Sequence, residues 1–288
     1  MPDINYAEKY EAQVDERFKL ASVTESATNR NYNFDGVNKI NIYSVETAPL
    51  NDYNRESASN RYGTAKELGN AVQSLTLTQD KSFTFTIDRG NHEDTVLANS
   101  AGNALQRQID EVVTPAVDKY RINVMANNAG TVMTQIITAD NAYQSFITAS
   151  VELIENKVPT ENRIAFVSPA FYMLMKSDRN FTGYGDKVNN VAVTGSIAKI
   201  DGINIIVVPS DYLPERTNFI ITHPMATVSP VKLAEYKTHD NLPGISGWLC
   251  EGRIYYDAFV LNNKKKAIII SKAPTPEEPP KETTEEIQ

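Results

Sequence analysis

Apolar and polar positions alternate most strictly where Phe83, Phe85 and Ile87 interleave with Ser82, Thr84 and Thr86. A period of two marks a β-strand with one buried face, and Val72 to Asp88 is read as one strand. Val37 to Val45 carries the same signal, with Ile40 and Ile42 alternating with Lys39 and Asn41. Between them, Leu50 to Asn70 is polar and holds Asn-Asp and Ser-Ala-Ser-Asn runs and two glycines. The pattern predicts a long two-stranded ribbon with a polar tip over Asn51 to Asn70. A lone ribbon is marginal in water, so one of this length is expected to lie on a neighbouring subunit.

The period then changes. Leu105, Ile109, Val112, Val113, Val117, Tyr120 and Val124 follow helical spacing from Asn99 to Ala126. Pro115 interrupts it, so either one long helix bends there or Thr114 caps a second helix with Pro115 at its first position. One bent helix is the favoured reading. A second helix begins at the N-cap candidate Asp140, with Tyr143, Phe146, Ile147, Ser150, Val151 and Ile154 on one face. Arg163 to Val167 reads as a strand, and Ser168-Pro169 opens a short helix through Tyr172 and Met175. Asn180 to Asn190 is a Gly/Asn/Asp loop. Gly195 to Pro209 reads as paired strands turned at Asp201-Gly202. Asn218 to Thr222, Val228 to Tyr236, Trp248 to Leu261 and Ala267 to Ser271 complete the β content. Strands and helices are segregated rather than alternating, so the class is α+β.

The ends read differently. Tyr6 to Leu20 has a helical mixture, and Ser22 to Asn33 is a polar stretch expected to be extended until it meets a partner. Ala273 to Gln288 holds four prolines and five glutamates without an aromatic residue, the composition of a disordered acidic tail. Met1 to Leu20 lacks the apolar segment of a secretory signal, and no run approaches the roughly 20 residues of a membrane span. The product is therefore expected in the cytoplasm of the cell that makes it, away from membranes.

Composition narrows the chemistry. The 288 residues carry a net charge of −8, which opposes tight binding to a phosphate backbone and leaves only loose local contact with DNA. Cys250 is the one cysteine, so neither an intrachain disulfide nor a cysteine metal cluster can form. His92, His223 and His239 show no metal-ligand spacing, and His92-Glu93-Asp94 reads as a polar turn. Gly183-Tyr184-Gly185 and Gly195 make no phosphate loop, and Gly244-Ile245-Ser246-Gly247 is too short for a nucleophile elbow. Lys264-Lys265-Lys266 reads as a solvated turn that discourages edge pairing of the following strand. Cys250 reads as a packing residue. No catalytic, cofactor-binding or metal-binding residues emerge. The 14 tyrosines suit a protein that lives on interfaces.

The order of features resembles the tailed-phage major capsid proteins with the Hong Kong 97-type fold. Val72 to Lys81 followed by Phe83 to Asp88 resembles the family's E-loop strand. Val113-Thr114-Pro115-Ala116-Val117-Asp118-Lys119-Tyr120-Arg121 resembles the end of its spine helix, although many relatives carry an acidic residue where Ala116 stands. Arg163 to Pro169, Ile200-Asp201-Gly202 and Val207-Val208-Pro209 resemble its A-domain, and Ile254 to Val260 its closing P-domain strand. The resemblance implies an N-terminal arm over 1–35, an E-loop ribbon and its base over 36–93, and a spine helix over 94–130. It further implies an A-domain over 131–232, closing P-domain strands and the return to the A-domain over 233–272, and the tail over 273–288.

A shell subunit without cofactor follows from the resemblance, one that self-assembles into pentamers and hexamers around double-stranded DNA. Tyr53, Arg55, Arg61, Tyr62, Lys66 and Glu67 of the tip are the expected intersubunit contacts. A separate scaffold protein and a portal are expected partners, since only a short segment precedes the first strand. An encapsulin-type compartment, a phage tail or head-decoration protein, and a hydrolase are the competing readings.

Overall fold

The computed structural model describes residues 22–29, 32, 39–45, 47–57, 59–65, 67–89, 101–178, 199–240, 243–244 and 246–275. The helical mixture before Leu20, Lys66, the His92 turn, the loop over 180–190 and the tail beyond Thr275 lie outside them. The chain divides into two units. One takes Met1–Asn128 and Pro224–Lys265, the other Ala129–His223 and Lys266–Gln288.

In the first unit, β1 (Lys39–Val45) and β2 (Asn70–Thr76) form the expected antiparallel ribbon, with Tyr43 opposite Val72 and Ile40 opposite Leu75. The single strand expected over Val72 to Asp88 is in fact two. It breaks after Thr76, and β3 (Gln79–Asp88) leaves the ribbon to pair with β11 (Gly247–Tyr256). With β10 (Val231–Asp240) this makes a three-stranded antiparallel sheet in the order β10-β11-β3, and β9 (Thr227–Val228) pairs antiparallel with β12 (Phe259–Val260). At its centre Gly252 is required. A Cβ there would stand 2.3 Å from the Phe83 ring and 2.8 Å from that of Tyr236.

One face of this sheet packs on the long helix. Leu105 and Ile109, Val113 and Val117 share a core with Tyr236, Ile254 and Tyr256. That helix runs as α1 (Ala101–Gln108), a π-turn (Ile109–Val113) and α2 (Thr114–Asn127). Helical angles persist at Gln108, Val113 and Thr114, so Thr114 is no cap and the one-helix reading holds. Pro115 has no N–H to give its preceding turn. The wider π-turn absorbs this, with the Thr114 N–H reaching back to the Ile109 carbonyl.

The second unit is a six-stranded mixed sheet. Its strands are β4 (Thr131–Thr134), β5 (Ile164–Val167), β6 (Lys199–Ile200), β7 (Ile203–Val207), β8 (Thr217–Thr222) and β13 (Ile268–Lys272). Their order is β4-β13-β8-β5-β7-β6. All four residues of β5 are buried, which is why it reads as an unbroken apolar run. The β6–β7 turn is the one expected, with Asp201 and Gly202 both at positive φ. Phe146 of α3 (Ala142–Glu155) and Phe171 of α4 (Pro169–Ser177) lie 5.4 and 4.9 Å from the Phe219 ring at the core's centre. Ser168 caps α4 as its sequence implies, accepting from the Phe171 N–H.

Three further expectations need correction. The N-cap of α3 is Asn141 rather than Asp140, and the buried Asp178 carboxylate accepts the Tyr143 N–H. The buried face of α3 is Ala142, Ser145, Phe146, Ala149, Ser150 and Leu153, leaving Val151 and Ile154 about half exposed. Small residues on that stripe let the helix approach the sheet, which the larger side chains would prevent. Finally, the lysine run lies in a 3₁₀ turn before β13, and β13 is paired on both sides, so it guards no free edge.

Candidate assembly surface

The ribbon's two faces differ. Ile40, Ile42, Leu75 and Leu77 turn inward, onto Tyr255 and Phe259 of the same unit. Tyr43 and Val72 form an exposed apolar pair on the other face. Beyond the strands the tip is organised by its own hydrogen bonds. Asn54 N–H donates to the Arg61 carbonyl, Asn51 to the Tyr62 carbonyl and Gly63 N–H to the Asn60 carbonyl. The Asn54 side chain accepts from the backbone N–H groups of Glu56 and Ser57.

This small loop stacks Tyr53 edge-on against Tyr62 at 5.0 Å, yet Tyr62 stays 83% exposed. Arg61 is spent locally, its Nε donating to the Ser57 carbonyl at 2.8 Å. Arg55 and Glu67 are exposed. The structure thus brings Tyr53, Arg61 and Tyr62 together, sets Arg55 beside them in sequence and Glu67 on the returning limb, and Lys66 lies outside the described residues. The Leu50 and Leu68 side chains are exposed on the two limbs.

Sequence reasoning missed the polar network around the buried Asp257 that holds the ribbon's base. The Gln73 amide donates to the Val260 carbonyl and accepts from the Asn262 N–H, both at 3.0 Å. The Asp257 carboxylate accepts both the N–H and the hydroxyl of Thr78, at 2.7 and 2.9 Å. Its other oxygen accepts the Tyr120 hydroxyl at 2.7 Å and the Ala258 N–H at 2.8 Å. Burial, reinforced by this carboxylate, pushes the Tyr120 phenol up to about 12.

On the same helix, Asp118 accepts from the Ser22 and Thr24 hydroxyls and the Val23 N–H. Arg121, 2% exposed, donates to Ser229, Ser22, Thr24 and Glu25. Residues 22–29 of the polar segment are therefore anchored on their own chain, with Asn29 bridged to Val228, and do not wait for a partner. Buried charges must be paired or fully hydrogen-bonded, and these polar residues are what the helix needs. One signal was present. Asp118 and Arg121 fall on the apolar stripe of Val117, Ile122 and Met125, where charge has no other reason to be.

Elsewhere, Cys250 is buried, with its thiol pushed up by burial, which agrees with packing. His239 faces Glu251 at 3.2 Å on the exposed sheet face, and His223 is buried in the loop that follows β8. Among the described residues no group of side chains has metal-binding form.

Solved structures share this architecture. That of Mycobacterium phage Che8 matches with a TM-score of 0.70 at 19% identity, over 87% of this chain and 90% of that one. The capsid of Cyanophage P-SCSP1u matches at 0.71 and 12% identity, covering 87% of each. The mature capsid of bacteriophage PhiM1 matches at 0.68 and 9% identity, covering 88% of each. No curated protein matches the sequence. The fold is thus the Hong Kong 97-type capsid fold that the sequence resembles. Residues 73–270 match the family described as phage capsid protein, and the chain belongs to that family as a major capsid protein.

Proposed function

We propose that copies of this chain join as pentamers and hexamers that close an icosahedral shell around the phage's double-stranded DNA, with the ribbon tip as latch between subunits. The observation that carries the latch is the tip itself. It is folded by its own hydrogen bonds yet leaves Tyr53, Tyr62, Leu50 and Leu68 exposed on both limbs. Such a surface loses its apolar area to water unless a neighbour covers it. Heterologous contacts from projecting arms generate closed rings. Tyr53, Arg55, Arg61, Tyr62, Lys66 and Glu67 are the contact residues in this reading.

The protein works without catalysis or cofactor, and is made in the host bacterial cytoplasm. A separate scaffold protein and a portal complete the head, and the packaged DNA is touched loosely, as the net charge of −8 requires. Negative-stain imaging and light scattering of the purified protein test this. Hexameric rings or closed shells at micromolar concentration are expected. A strict monomer at every concentration and salt would overturn it. Particles from the native source should contain DNA, and a protein cargo in its place would make the shell a cellular compartment.

A further inference from the structure

The corner between ribbon and sheet has an unusual construction. The strand that should run unbroken from Val72 to Asp88 changes partner at Leu77-Thr78. Nothing in the local sequence forces a turn there, since neither glycine nor proline is present. What holds the corner comes from far along the chain. Both Thr78 donors end on one oxygen of Asp257, 179 residues away. Asp257 is 2% exposed, and its second oxygen is held by Tyr120 of α2 and by its own neighbour Ala258. The carboxylate is thereby fixed to the helix on one side and to the corner on the other.

A second tie lies five residues before Thr78. The Gln73 amide makes two hydrogen bonds to the backbone at Val260 and Asn262, imitating a strand pairing where no strand continues. Leu75 and Leu77 fill the space between the two ties, packed on Tyr255 and Phe259. Two fixed points along one short segment define a direction.

We propose that Asp257 and Gln73 are positioning residues that set the angle at which the ribbon leaves the subunit, and through it the curvature of the assembled shell. A ribbon aimed before assembly offers its tip to a neighbour in one orientation, which lowers the ordering cost of each contact. A ribbon free to swing would reach neighbours at several angles and close shells of several sizes. The consequence for shells rests on the assembly function proposed above. The consequence for the ribbon does not.

The test uses full-length protein with spin labels on Ser59→Cys at the tip and Ala116→Cys on the helix, both exposed positions of one unit. Cys250 is buried and does not compete for label. Gln73→Met keeps the side-chain length and removes both hydrogen bonds. Asp257→Asn leaves an amide N–H facing an existing donor, whichever way it is turned. In unassembled subunits the unchanged ribbon should give one narrow distance distribution, and each variant should at least double its width. Gln73→Met should keep its melting temperature within a few degrees, so broadening there reads position rather than stability. Particles from the variants should span several diameters or remain open. Unchanged distributions in Gln73→Met would overturn the proposal, whatever Asp257→Asn does to folding. If the unchanged protein forms no shells but its variants still broaden, the assembly reading fails and the positioning role stands.

Discussion

Asp118 and Asp257 are buried carboxylates held by hydrogen-bond donors more than by cations. Asp118 lies 3.9 Å from the Arg121 guanidinium but collects its hydrogen bonds from Ser22, Val23 and Thr24. Asp257 relies on Thr78, Tyr120 and Ala258. The donor side can be tested through Tyr120. Its phenol holds its proton up to about 12 when folded, against the ordinary 10. A folded pKa raised above the unfolded one contributes stability that is full below pH 10 and is lost as pH climbs toward 12. Tyr256 and Cys250 are pushed the same way by burial, so the alkaline slope is shared. Tyr120→Phe should cost about 1.5–3 kcal/mol at pH 8, the worth of a hydrogen bond to a carboxylate. Urea melts at pH 8, 10 and 11.5 should show that gap narrowing as pH rises. A gap constant across the series would mean that the phenol is not held by Asp257.

At the scale of elements, the ribbon shows what a periodic sequence can and cannot reveal. Ile40 and Ile42, and Phe83 and Phe85, announce strands because each has one face buried, and period two records that directly. The partner change at Thr78 leaves no such mark, because its cause is a carboxylate far along the chain. The face of α3 was misjudged for a related reason: large apolar Val151 and Ile154 outweighed the small Ala142 and Ala149 in the pattern, while packing chose the small ones. The tip's candidate residues were legible as a polar segment between strands, but its Tyr53–Tyr62 contact depends on turns at Asn60 and Gly63 that composition only hints at. Replacing residues 52–68 by a short Gly-Ser turn removes a loop bonded to itself and to the adjoining Asn51, and leaves every β1–β2 pair in place. The melting temperature should move by no more than a few degrees, while shell formation seen by electron microscopy should stop. Arg55→Glu should weaken assembly more at low salt than at high, since exposed charges are screened. Normal particles from the shortened protein would remove the tip from the assembly surface.

At the scale of the whole molecule, the chain enters the second unit at Ala129, leaves at His223 and returns at Lys266. The returning strand is no ornament. β13 lies between β4 and β8, and its Ile269 belongs to the same core as Phe146, Phe171 and Phe219. A fragment of 129–222 alone therefore lacks an interior strand. It exposes one edge each of β4 and β8 and a gap in the core, and it should not melt cooperatively. The geometry also supplies the remedy. Thr222 and Ile268 are direct register partners in the antiparallel β8–β13 pair, so the excursion between them can be replaced by a two-residue Asn-Gly turn. Residues 129–222, that turn and residues 268–275 should form a soluble protein with a single cooperative urea transition and dispersed amide resonances. Among the described residues, the core around Phe219 lies inside those ranges, from Ala142 to Ile269. Circular dichroism and NMR on the two fragments decide the matter. If 129–222 folds as well as the joined chain, β13 is not the strand that completes this core. If neither folds, the second unit draws its stability from the rest of the polypeptide.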